Sequence, residues 1–195
     1  MKDEYMADSL SEIKPVLAGE KGAFESFVRK YERLVSHIVF RMVKNTADRE
    51  DLCQDVFMTI YAKLNEFRHQ SQLSTWIGRI AHNKCLNFLE KKRVPLFDDV
   101  TGEDQSIDNC IIDNAGPDDN SERSDIGARV RREIDQLPVL YGTILALYHL
   151  EEMPYREIGQ IMNLPDGTVK SYLFRARQML KERLQDRYRP EELWQ

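Results

Sequence analysis

The chain has 195 residues, 42% hydrophobic and 31% charged, enough for one or two small domains with a real core and unlike a disordered protein. Aromatic residues make up 9%, and apolar runs such as Leu145 to Leu147 stop after a few residues, far short of a bilayer span, so no membrane insertion is expected. The net charge of −5 is unpromising for a nucleic-acid binder, but it hides a segregated pattern: −3 over residues 1–20, +6 over 21–97, −9 over 98–126, +3 over 127–189 and −2 over the last six.

Residues 1–20 open with Met1-Lys2-Asp3-Glu4 and hold no apolar stretch followed by a small-residue cleavage site, which argues against secretion. From Phe24, the apolar positions Phe27, Val28, Tyr31, Leu34, Val35, Ile38, Val39 and Met42 keep the three-and-four spacing of one buried helical face and predict a long helix. Asn45-Thr46 interrupts it. Asp48 is placed to cap the next helix, with Asp51 three positions on, and Leu52, Val56, Ile60 and Leu64 carry the stripe forward. Phe67 to Leu73 reads as a polar loop. Ser74 or Thr75 then caps a third helix through Trp76, Ile77, Ile80, Ala81, Cys85, Phe88 and Leu89, which ends in Lys91-Lys92-Arg93 and is stopped by Pro95.

Residues 98–126 are rich in Asp, Asn, Ser and Gly, lack periodicity and cannot bury enough surface to fold alone, so they read as a flexible acidic linker. A coil of that length spans roughly 30 Å, and roughly 95 Å fully extended, enough to hold the flanking units well apart. Order resumes near Ile126. Val130, Ile134 and Leu137 form one stripe, Tyr141, Ile144, Leu145 and Tyr148 a second, and Tyr155, Ile158 and Ile161-Met162 a third. The fold class is therefore all-α, two small helical domains joined by the linker, with boundaries at 10–97, 98–126 and 127–189.

The sharpest local pattern lies in residues 154–180. Pro154 suits a first helical turn, a short helix runs to Met162, and Asn163-Leu164-Pro165-Asp166 turns into a second helix from Gly167 to Leu180. Gly159 sits where a side chain would strike the partner helix, Asn163 can take the left-handed turn conformation, and Leu164, Val169 and Leu173 fill the angle. This is a helix-turn-helix. Its second helix presents Thr168, Lys170, Ser171, Tyr172, Arg175 and Arg177, hydroxyls near the start and cations along it, as a major groove requires.

At this point the sequence resembles a known family. Leu137-Pro138, Glu151-Glu152-Met153-Pro154-Tyr155-Arg156-Glu157-Ile158-Gly159, Gly167-Thr168-Val169-Lys170-Ser171 and Arg175-Ala176-Arg177 are similar to region 4 of bacterial extracytoplasmic-function (ECF) sigma factors, in the sigma-70 family. The front half independently resembles their region 2, in Ala23-Phe24, Asp51-Leu52-Cys53-Gln54-Asp55-Val56-Phe57 and Ser74-Thr75-Trp76-Ile77-Gly78-Arg79-Ile80-Ala81-His82-Asn83. Together the two blocks cover about residues 10–185, in the family's order. The resemblance implies a dissociable, non-enzymatic subunit that binds core RNA polymerase, recognises the minus-10 and minus-35 promoter elements and helps to open the duplex.

Carried over residue by residue, the resemblance puts the polymerase contact on Asp48, Asp51, Leu52, Gln54, Asp55 and Phe57. It gives minus-10 DNA to Arg68, His69, Gln70 and Ser71 of the loop and to Trp76, Arg79, His82, Asn83, Asn87, Lys91, Lys92 and Arg93 of the third helix. Melting needs a basic surface, aromatic faces and a pocket for an extruded base, and this stretch offers all three, although core packing accounts more simply for Trp76 and Phe88. Minus-35 DNA falls to Asp166, Thr168, Lys170, Ser171, Tyr172, Phe174, Arg175 and Arg177. Asn87, Glu90, Asp166 and Tyr172 depart from the family's usual residues, so neither base preference can be copied from a typical member. The acidic linker would imitate a phosphate chain inside polymerase, or simply aid solubility. An anti-sigma factor, required by many members, is a further partner the resemblance suggests.

No cofactor or metal is expected. Asp48, Asp51 and Asp55 have no His beside them, His82 and Cys85 have no third ligand, and no Gly-rich phosphate loop appears. Cys53, Cys85 and Cys110, an odd number without a C-x-x-C pair, suit idle thiols in the cytoplasm. Two rival readings are a helix-turn-helix repressor or activator that works without polymerase, and a helical adaptor that binds only protein. The first needs a dimerisation or sensory domain that the front block does not resemble, and the second leaves the basic recognition helix unexplained.

Overall fold

The computed structural model of the chain describes residues 2–92 and 122–188, and every regular element among them is helical. Arg93, Pro95, Cys110 and positions 98–121 of the expected linker lie outside the described residues.

Helix α2 (Ala23–Met42) buries Phe27, Tyr31, Leu34, Val35, Ile38, Val39 and Met42, the stripe that the spacing predicts, with Val28 half-buried beside it. Helix α3 (Thr46–Lys63) follows after a three-residue break. Its cap is Asn45, whose side-chain oxygen accepts from the Asp48 N–H at 3.1 Å, so Asp48 stands in the first turn, where a carboxylate suits the helix dipole, and does not cap. Arg49 reaches back from α3 to close α2. Its Nε donates to the Val43 carbonyl at 2.6 Å and its Nη2 to that of Phe40 at 3.0 Å, so a buried cation satisfies the dipole's negative end.

A 3-10 turn at Leu64–Glu66 leads through the loop 67–72 into helix α4 (Leu73–Lys91). No side chain caps α4, since Gln72 holds the cap position and Ser74 and Thr75 lie inside the first turn. One helix precedes the first stripe that the spacing predicts. Helix α1 (Lys2–Leu17) carries Pro15 in its last turn, and its buried apolar residues are only Ile13 and Val16 among the side chains described. It packs on α2 and the 3-10 turn, tied by Tyr31 Oη donating to Glu12 at 2.9 Å and by a Lys30–Glu12 ion pair.

In the second half, helix α5 (Glu122–Asp135) is already helical four residues before Ile126, inside the segment read as linker. Helix α6 (Val139–His149) buries six consecutive residues, Gly142 to Leu147, because α2 covers one side and α8 another. Helix α7 (Tyr155–Met162), the turn and helix α8 (Asp166–Arg187) form the expected helix-turn-helix, with α8 running seven residues past Leu180. Asn163 closes α7 in the left-handed conformation, φ 55° and ψ 45°. A Cβ on Gly159 would lie 2.6 Å from the Leu164 carbonyl oxygen, so the clash that forces glycine is with the turn's own backbone more than with the partner helix. Gly159→Ala will cost about 1–3 kcal/mol or more of stability, read from urea unfolding; a loss under about 0.5 kcal/mol would show that the turn yields freely.

A linker of this length allows the halves to part, yet here they share one hydrophobic core. Helix α6 lies on α2 and α7 on α4, where Ile161 fills the notch at Gly78 so closely that a Cβ there would stand 2.7 Å from its Cδ1.

Candidate nucleic-acid interface

Three surfaces carry the residues that the sequence singles out. The first is the outer face of α3. Asp51, Gln54 and Asp55 are exposed in a row, and Met58, 64% exposed, continues it one turn on. That row is a carboxylate face with an apolar end, suited to a basic partner helix. Leu52 and Phe57 lie in the core, where they anchor α3 and do not face outward, and Asp48 is half-buried and paired with Lys92 Nζ at 2.6 Å. Met58 escaped the sequence reading, although its spacing of four and seven from Gln54 and Asp51 was the available signal.

The second surface is α4 with the loop before it. Arg79, Asn83, Asn87 and Lys91, four apart, form one exposed polar row. His82 and Cys85 are buried beneath it, and burial pushes the Cys85 thiol up to about 12, so it stays protonated. Lys92, besides pairing with Asp48, lies 4.7 Å over the Phe88 ring, and its side chain is 49% exposed. In the loop, Arg68 and Gln70 are exposed and Ser71 is half-buried. His69 has a left-handed backbone, φ 54°, with its ring edge-on to buried Phe67 at 4.7 Å. Trp76 is half-buried against Phe67 at 5.4 Å, in line with the packing role.

The third surface is the start of α8. Lys170, Ser171, Phe174 and Arg175 are exposed on neighbouring turns, Thr168 is half-buried and Asp166 is exposed in the first turn. Phe174, at 71% exposure, is a large apolar group among cations, the kind of side chain that meets a thymine methyl. Two predicted members also make contacts within the domain. Tyr172 is half-buried with its ring edge-on to Tyr141 at 5.7 Å, and Arg177 lies 5.0 Å over Tyr148 while its Nε donates to His149 Nε2 at 3.3 Å. Further along, fully buried Glu133 of α5 accepts from Arg183, Arg187 and the Tyr188 hydroxyl, which neutralises that end and leaves the positive charge at the helix start.

Among the described residues no group of three or more His, Cys, Asp or Glu could hold a metal ion, and no helix is long and apolar enough to cross a membrane.

The family model for Sigma-70 region 2 matches residues 27–94, and that for Sigma-70, region 4 matches residues 127–180. The RNA polymerase sigma-H factor of Pseudomonas aeruginosa is 35% identical over 177 residues, 89% of this chain and 92% of that one. The ECF RNA polymerase sigma-E factor of Haemophilus influenzae is 32% identical over 187 residues, 92% and 98%. The ECF factor SigW of Bacillus subtilis is 30% identical over 178 residues, 89% and 95%. The chain belongs to the ECF group of RNA polymerase sigma factors. It is therefore a non-catalytic initiation factor that directs polymerase to promoters. Two solved structures share its fold: CnrH in complex with the cytosolic domain of CnrY, at TM-score 0.60 and 17% identity over 91% of this chain and 97% of that one, and RpoE of Bartonella quintana with the anti-sigma factor NepR, at 0.59 and 21% over 86% and 99%.

The contact between the two halves of this sigma factor is polar at its rim. Glu151, in the turn between α6 and α7, accepts from Arg33 Nε at 3.0 Å and lies 2.6 Å from His37 Nδ1, while Arg33 Nη2 donates to the Leu150 carbonyl at 2.8 Å. Arg41 pairs with Asp135, and Thr75 Oγ1 donates to Glu157 Oε2 at 3.0 Å. Burial raises the Glu157 carboxyl above its ordinary 4.5 against the pull of Thr75, and Lys30, Glu151 and Glu152 line the same cleft; Asp135 is raised by burial too, against Arg41 and Arg49. A carboxyl raised in the closed form favours closure fully below its ordinary pKa, and that benefit is lost as pH rises through the raised one. Lowering pH from 7 toward 5 will thus tighten closure, followed by energy transfer between dyes on α3 and α8. Glu157→Gln, which keeps an acceptor for Thr75, will shrink the pH response; an unchanged response would remove Glu157 from it.

Proposed function

We propose that this sigma factor divides its work among the three surfaces. Asp51, Gln54, Asp55 and Met58 dock on core polymerase. Arg68 and Gln70 of the loop with the row Arg79, Asn83, Asn87 and Lys91 capture the melted minus-10 element, and Lys170, Ser171, Phe174 and Arg175 read the minus-35 element in the major groove. The observation that carries this division is that both polar DNA faces are exposed on different helices of one chain, on α4 and α8, while the carboxylate face lies on a third. The protein works in the cytoplasm, where polymerase and promoters are, and an anti-sigma factor is its expected regulator, since the two solved relatives are bound to CnrY and to the anti-sigma factor NepR.

Elements named minus-10 and minus-35 lie about 25 base pairs apart, roughly 85 Å at 3.4 Å per base pair. A compact chain of 195 residues has a radius of gyration of about 16 Å and a diameter of roughly 40 Å. The closed form cannot reach both elements at once. Promoter recognition therefore requires α6 and α7 to leave α2 and α4, and the apolar seam at Ile161 and Gly78 together with the Glu151, Asp135 and Glu157 contacts sets the cost of that opening.

Run-off transcription with bacterial core polymerase on fragments of the source genome, with and without this protein, tests the reading. Discrete start sites that appear only with the protein and vanish when Lys170 and Arg175 are changed to alanine support it. Start sites that survive those changes unaltered would overturn the assignment of α8 to the minus-35 element.

A further inference from the structure

Helix α1 reaches the loop assigned to minus-10 capture through one buried hydroxyl. Ser9 is 4% exposed, and its Oγ lies 2.8 Å from His69 Nδ1, a hydrogen bond across 60 positions of sequence. A buried hydroxyl bonds where the fold allows it, and here the partner stands at the loop's turning point. The His69 backbone is left-handed, φ 54°, a conformation that costs a residue with a Cβ more than it costs glycine and that side-chain contacts help to hold. Its ring also lies edge-on to Phe67, which packs in turn on Trp76 in the first turn of α4. Arg68 and Gln70, on either side of His69, are exposed.

We propose that Ser9 is a positioning residue for promoter melting: by fixing His69 in its left-handed turn it presets the loop that captures unpaired minus-10 bases. This rests on the assignment of that loop to base capture. A loop that must order itself as each base is extruded loses affinity to that ordering, and one already locked by α1 does not. The hydroxyl thereby shapes specificity without touching DNA.

The test uses holoenzyme assembled with Ser9→Ala or Ser9→Thr. Permanganate reactivity of unpaired thymines reads melting, and single-round run-off on promoters varied base by base through the minus-10 element reads preference. Loss of one hydrogen bond should lower the melted fraction of Ser9→Ala about five- to tenfold and flatten the preference, with core affinity unchanged and Ser9→Thr recovering most of both. Glycine accepts a positive φ without strain, so adding Ser9→Ala to His69→Gly should cost nothing more. Undiminished melting, or an equal loss on every minus-10 variant, would reduce Ser9 to a structural staple and overturn the proposal. If Arg68→Ala with Gln70→Ala changes neither melting nor preference, base capture by the loop fails first; if that pair impairs both while Ser9→Ala impairs neither, only the positioning role falls.

Discussion

Replacing Glu151 with arginine will shift the free protein toward its open form. Glu151 is the meeting point of the clasp: its side chain is 11% exposed, and one carboxylate oxygen takes both Arg33 and His37 of α2. Arg33 is largely exposed, so its pair is screened, and removing the carboxylate costs on the order of 1–3 kcal/mol, a factor of about 5 to 150 between closed and open forms. Reversing the charge sets one guanidinium against another and adds to that factor. The apolar contact of Ile161 with the Gly78 notch remains and opposes opening. Small-angle scattering should show the radius of gyration rising from about 16 Å by about 5 Å as two lobes part. Energy transfer between dyes on α3 and α8 should fall together with it. Scattering identical to the unaltered protein would mean that the apolar seam alone keeps the halves together. Glu151→Gln, which retains an acceptor, should lie between the two.

The helices were legible wherever one face is buried and the other wet. The run from Phe27 to Met42 follows the 3.6-residue period because α2 meets its neighbours along a single stripe, and Leu52, Val56, Ile60 and Leu64 do the same on α3 and the turn after it. Helix α1 was harder to read: Leu10, Ile13 and Val16 keep a helical spacing, but Pro15 stands between them and, among the described side chains, part of its attachment is polar, through Ser9 and Glu12. Caps failed for a local reason. Asn45 and Asp48 are both good capping residues, and only the backbone decides which one stands outside the helix. At the candidate site, residue type was visible but availability was not. Lys92 and Asp48 were read for two different partners and neutralise each other, while Leu52, Phe57 and His82 turn inward. The closed arrangement lies beyond any local pattern, since Arg33, His37 and Arg41 find partners 94 to 118 positions away.

The largest effect on transcription is expected from the charge pairs on α3 and α8, and the two pairs should fail at different steps. Lys170→Ala with Arg175→Ala removes the exposed cations at the start of the recognition helix, one suited to a phosphate and one able to reach a base edge. At about 1–3 kcal/mol each, the pair should cost at least about thirtyfold in run-off from a promoter that depends on its minus-35 element, and should flatten the salt dependence of promoter binding by one to two counterions. Holoenzyme should still assemble normally, so added protein will not restore transcription once core is saturated. Asp51→Lys with Asp55→Lys should act earlier. Charge-assisted contacts at a protein interface lose about 2–5 kcal/mol when one partner is removed, and reversal sets like charges together, so assembly with core should weaken by thirtyfold or more. Added protein then recovers transcription by mass action. Native gels for assembly and run-off over a titration of protein separate these outcomes. If the α3 pair left assembly intact, polymerase would have to dock on another face of the molecule, and if the α8 pair weakened assembly as much as transcription, α8 could not be assigned to DNA alone.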